Sequence, residues 1–105
     1  MRVLLYRTTN VVDVTLTDPL SDDAPVIGAQ VTLTLVDQAG QQVGGAAWPL
    51  TLQETTPGSG TYRGRITHEV EVAVGRKYVA RIEVAAPTGD RAYTELTLPV
   101  EVDRT

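Results

Sequence analysis

From Tyr78 to Ala86 the chain alternates with a period of two. Tyr78, Ala80, Ile82, Val84 and Ala86 share one face, and Arg81 and Glu83 lie on the other with Val79 among them. That is the pattern of a half-buried strand. Upstream, Val70, Val72 and Val74 alternate with Glu69, Glu71 and Ala73, so His68 to Val74 also reads as a strand. Gly75 then turns the chain into Tyr78. The same alternation sets Val12, Val14 and Leu16 inward against Asp13, Thr15 and Thr17, until Asp18-Pro19 stops the ladder. Ala29 to Asp37 carries Val31, Leu33 and Leu35 on one face and Thr32 and Thr34 on the other. After Gly44-Gly45, Trp48, Leu50 and Leu52 fall together. In Thr61 to Thr67, Tyr62 and Ile66 point inward and Arg63 and Arg65 outward, with Gly64 leaving room for a bulky neighbour such as Trp48. The last strand begins near Tyr93 and places Leu96, Leu98, Val100 and Val102 inward. Pro99, on its outward set, marks an edge strand or a bulge.

Turn signals separate these runs: LSDDAPVIG with Pro25 and Gly28, Gln38-Ala39-Gly40, TTPGSG from Thr55 to Gly60, and PTGD from Pro87 to Asp90. No window sustains a 3.6-residue period. About seven strands at roughly 8–12-residue spacing predict an all-β chain, a single antiparallel β-sandwich with Greek-key wiring. Val3 to Tyr6, before the break at Thr8-Thr9-Asn10, reads as an edge strand or an arm. The expected organisation is therefore residues 1–10 as arm or edge strand and residues 11–105 as the sandwich.

Composition narrows the function classes. At 105 residues the chain is one domain, able to bury roughly two-thirds of its unfolded surface without staples. It has no cysteine, hence no disulfide, thiolate metal site or Cys nucleophile. Net charge is −4, and the eight arginines and Lys77 are scattered, which argues against nucleic acid as a partner. The apolar run Val3 to Tyr6 is too short for a signal or membrane segment, so no membrane association is expected.

Candidate chemistry is thin. His68 is the lone histidine, and strand alternation puts Glu69 and Glu71 on the face opposite it, so a metal site would need ligands from a neighbouring strand. Ser21 and Ser59 sit in loops outside any nucleophile motif, and Gly44-Gly45 and Gly58-Ser-Gly60 lack the lysine of a phosphate loop. Asp18, Asp22 and Asp23, with Asp90, either begin an oxygen-ligand calcium loop or form an ordinary solvated acidic loop. Trp48, next to Pro49, is expected between the sheets, the alternative being an exposed anchor. Arg63 and Arg65 form a basic pair that either meets cross-strand carboxylates or docks an acidic surface. No catalytic, cofactor-binding or metal residue is assigned.

Three stretches carry resemblances. Val72-Ala73-Val74-Gly75-Arg76-Lys77-Tyr78 resembles the tyrosine corner of fibronectin type III and immunoglobulin-like domains, with Val74 where those families place a proline or leucine. Pro25-Val26-Ile27-Gly28-Ala29-Gln30-Val31-Thr32-Leu33, ending in Asp37-Gln38-Ala39-Gly40, is similar to a hairpin of bacterial Ig-like and carboxypeptidase-regulatory-like modules. Gly58-Ser59-Gly60-Thr61-Tyr62-Arg63-Gly64 resembles a later strand of the same modules. The resemblance implies an Ig-like sandwich with Trp48, Tyr62, Gly75 and Tyr78 as structural residues. Such folds serve many roles. In type, the chain resembles phage virion accessory proteins: capsid decoration or tail-associated Ig-like proteins. The expected function is a non-enzymatic structural or interaction module docking on a larger protein assembly or its own copies, in the virion or host cytoplasm. Alternatives are a cell-surface or periplasmic Ig-like domain binding protein or carbohydrate, and an enzyme's accessory domain. Val3, Leu4, Leu5, Tyr6, Arg63 and Arg65 are the expected contact residues.

Overall fold

The computed structural model describes residues 3–18, 22 and 24–102. Among them it is all-β. The strands are β1 (Leu4–Leu5), β2 (Asn10–Thr15), β3 (Thr17–Asp18), β4 (Ala24–Pro25), β5 (Gln30–Val36), β6 (Leu50–Glu54), β7 (Thr61–Ile66), β8 (Lys77–Ala85) and β9 (Arg91–Glu101). Seven form one sheet in the order β1-β9-β8-β5-β6-β7-β2, and β3 pairs with β4 in a two-stranded sheet. Continuity passes through β6, whose first half pairs with β5 (Leu50↔Leu33, Leu52↔Val31) and whose end pairs with β7 (Gln53↔Arg63, Glu54↔Tyr62). All pairings are antiparallel except β1 with β9, which is parallel (Leu4↔Val100), so the expectation of a purely antiparallel sheet fails at that one edge.

The core follows the alternation. Val31, Leu33, Leu35, Leu52, Tyr62, Ile66, Ala80 and Ile82 are all buried, and the β5 faces meet those of β6 and β8 in register. At Gly64 the space serves Leu50 and Leu52, not Trp48: an added Cβ would lie 3.0 Å from Leu52 Cγ and 3.3 Å from Leu50 Cδ2. Trp48 is half-buried at the margin of the core, with its indole N–H donating to the Val43 carbonyl at 2.7 Å.

Four expectations are corrected. His68 to Val74 is a loop between β7 and β8, not a strand, although Val72 is buried as the pattern implied. Its backbone makes local turns (Val70 N–H to Thr67, Val72 N–H to Val70) and one long-range bond, Glu71 N–H to the Gly44 carbonyl at 2.9 Å, rather than a ladder. Of the inward set on β9, only Leu98 and Val100 are buried; Leu96 and Val102 are exposed. LSDDAPVIG contains β4, which pairs with β3 just upstream of it, in place of a plain loop. Asn10 does not break the pattern but is buried. Its amide side chain accepts from Leu5 N–H at 3.0 Å and donates to the Leu5 and Thr8 carbonyls at 3.2 and 3.0 Å. One side chain thus bridges β1 and β2, the two ends of the curled sheet.

Candidate interaction surfaces

The N-terminal contact residues lie in the molecule's own fold. Leu4 is 1% exposed, in the same core cluster as Leu98 and Val100. Tyr6 N–H donates to the Glu101 carbonyl at 2.8 Å, extending the β1–β9 pairing by one residue. Val3, Leu5 and Tyr6 are half-buried, and the Arg7 guanidinium lies 5.3 Å from the Tyr6 ring centroid. The unbroken apolar run is explained by cover from this chain, so Leu4, of the expected contact residues, is not available to a partner.

Arg63 and Arg65 stand on the exposed face of β7, as the alternation required. They do not act as a pair. Arg63 makes a two-pronged contact with Asp13 across the β2–β7 register, Nε to Oδ1 at 2.7 Å and Nη2 to Oδ2 at 3.1 Å. This hydrogen bond, above all, holds the Asp13 carboxyl below its ordinary value against an opposing desolvation. Arg65 lies opposite Val11, itself exposed.

Tyr62 and Tyr78 are buried, and their hydroxyls bond the backbone. Tyr78 accepts from Ala73 N–H at 2.9 Å, five residues upstream. Gly75, at φ 86°, makes the intervening turn and donates its N–H to Val100 at 3.2 Å. The Tyr62 hydroxyl donates to the Val26 carbonyl at 2.7 Å and accepts from Ala29 N–H at 3.1 Å, tying the segment before β5 to β7.

His68 is exposed in its loop. Asp23 lies outside the described residues; among those described, no group of three or more His, Cys, Asp or Glu side chains is placed to hold a metal. A cavity of about 520 Å³ lies where β3–β4 meets the β8–β9 turn, lined by Leu16, Pro25, Ile27, Ala86 and Pro87 with Asp90 and Arg91 at its margin.

The surface that sequence reasoning missed is the outer edge of β9. β8 pairs with this 11-residue strand from Arg91 to Pro99, and among the described residues its other edge is paired only by β1, at Val100 and Glu101. Arg91 to Thr97 is exposed on both faces, with Tyr93 53% and Leu96 38% accessible. The free backbone groups follow from parity. Asp90 C=O accepts from Ala86 and Val100 N–H donates to Arg76, so even-numbered residues bond to β8. The N–H and C=O groups of Arg91, Tyr93, Glu95 and Thr97 therefore point to the open edge. Pro99, lacking an N–H, falls in the same odd set, and Glu101 uses its outward carbonyl to hold β1. Pro99 was the one signal in the sequence that pointed to this edge. Arg81, opposite Glu95 on β8, has Nε 3.7 Å from Glu95 Oε2.

No protein-family model, curated protein or solved structure matches the chain. No helix of the described residues is long and apolar enough to cross a membrane.

Proposed function

We propose that the chain is a non-enzymatic Ig-like β-sandwich module that works by docking to protein, through addition of a strand at the open β9 edge. The observation that carries this is that edge: four successive odd-numbered residues with outward backbone donors and acceptors, next to an exposed Tyr93 and Leu96. Long uncovered edges are templates for pairing, and soluble proteins commonly blunt them with proline, lysine or a bulge. Here proline stands only at position 99, beside β1.

Two features favour the Ig-like form. β7 and β8 follow each other in the chain but lie apart in the sheet, as do β2 and the next strand of that sheet, β5; crossings of this kind occur in Greek keys. The β7–β8 crossing carries the Tyr78 hydroxyl bonded back to its own turn, as in a tyrosine corner.

Within this class the role is that of a virion component on a shell or tube, the reading that the acidic, cysteine-free composition suggests. Two experiments separate the levels of the proposal. Glu95→Pro removes an outward N–H without touching the ladder to β8, so the fold should survive while docking is lost; docking by a folded Glu95→Pro protein overturns the edge. Mass spectrometry of purified particles from the source should find the chain in fixed copy number. Its absence overturns the virion role alone.

A further inference from the structure

The β9 edge also specifies what pairs with it. We propose that its partner is the β9 edge of a second copy of this chain, antiparallel about a twofold axis through Tyr93. The inference rests on the edge being the docking surface and adds the identity of the partner and the register.

Backbone parity restricts the choices. Donors and acceptors face the edge only at odd positions, so a twofold pairing must set odd residues against odd ones. Charge then selects among the registers that remain. An axis through Glu95 sets two carboxylates directly opposite each other, which is unfavourable. An axis through Thr94 places Tyr93 against Glu95 and Arg91 against Thr97, so neither charge meets an opposite charge across the pair. An axis through Tyr93 places Arg91 opposite Glu95 of the second copy, twice by symmetry, with the two Tyr93 rings side by side between these ion pairs. Each of the three opposed pairs then exchanges two backbone hydrogen bonds at a Cα separation of about 5.5 Å.

The side chains suit this arrangement. Arg91, Tyr93 and Glu95 share the outward face, and all three are exposed. Glu95 now lies near Arg81 of its own β8, a half-exposed contact at 3.7 Å that leaves the carboxylate able to take a second cation. On the other face the axis brings the turn of the second copy, at Asp90, over the exposed Leu96. An isologous edge pair uses the same strand on both copies, so it closes as a dimer and does not propagate into a fibre.

Sedimentation equilibrium of the full chain tests this. A concentration-dependent rise toward twice the 11.3 kDa chain mass is expected. Arg91→Glu and Glu95→Arg should each weaken the dimer by about tenfold or more, since each puts like charges opposite one another. The double variant, which exchanges the two charges, should recover to within a few-fold of the parent. As a second readout, Tyr93→Cys in this otherwise cysteine-free chain should oxidise to a disulfide-linked dimer, because the paired Cα separation lies within disulfide range. A chain that stays monomeric at millimolar concentration overturns the self-pairing. It leaves the edge as a docking surface for another protein, which the Glu95→Pro variant decides separately. A dimer that withstands Glu95→Pro, or whose double charge variant does not recover, overturns the edge or the register respectively.

Discussion

Two tyrosines with similar alternation do different amounts of work, and the difference is readable in their hydroxyls. Tyr62 is 1% exposed and its hydroxyl bonds two backbone groups, Val26 C=O and Ala29 N–H. Tyr78 bonds one, Ala73 N–H. Removing a hydroxyl leaves its partners without their bond, at roughly 1 kcal/mol each and more when buried. Tyr62→Phe should therefore cost about 2 kcal/mol and Tyr78→Phe about 1 kcal/mol in urea unfolding. A reversed order would mean that the turn at Gly75 depends on Tyr78 more than its single bond implies. Asp13 offers a pH test. Arg63 lowers its carboxyl below the ordinary 3.8, chiefly by their hydrogen bond. A folded value below the unfolded one means that the contribution is complete above the unfolded value and is lost as pH falls through the folded one. The difference in Tm between wild type and Asp13→Asn should be present at about pH 6 and shrink progressively as pH is lowered past the ordinary carboxylate value. Added salt should shrink it, because both groups are well exposed.

At the scale of elements, β1 shows how two residues become indispensable. A two-residue strand has almost no ladder of its own, so its place depends on Leu4 in the core and on Asn10 bridging it to β2. Leu4→Ala should destabilise by about 2–5 kcal/mol, the range for emptying a buried leucine site. Asn10→Ala should also lower stability, because it removes the partner of the half-buried Leu5 N–H and C=O groups that now use the amide. Deleting residues 1–8 should lower the melting temperature sharply; a truncated chain that melts like the parent would return β1 to the status of an arm. Period-2 alternation could not reveal this role, because a run of four apolar residues looks the same whether its own chain or another covers it. Asn10 was illegible for a related reason. A polar residue between two apolar segments reads as a turn until the segments are known to lie at opposite ends of one sheet.

Across the whole molecule, protection should follow the sheet order. β5 and β8 have a neighbour on each side, while β9 has an open edge over most of its length. In dilute solution, amide exchange should be slowest in β5 and β8 and should alternate along β9. Ala92, Thr94 and Leu96 should be slow and Arg91, Tyr93, Glu95 and Thr97 fast. Uniformly slow exchange along β9 in the dilute monomer would show that the edge is covered within the chain. What the sequence alone determined was the all-β character, the inward faces of β2, β5, β7 and β8, and the placing of Tyr62 and Tyr78, because burial on a pleated strand imposes a local period that survives in one dimension. What only the tertiary structure decided was which edges meet: β1 parallel to β9, Asn10 joining the ends of the sheet, and Arg63 paired with Asp13 fifty residues away. The β7–β8 loop was decided there too, since an alternating segment becomes a strand only where a neighbour offers its backbone. The open stretch of β9 belongs with these, because its side-chain pattern is that of any strand and only the missing neighbour makes it an edge.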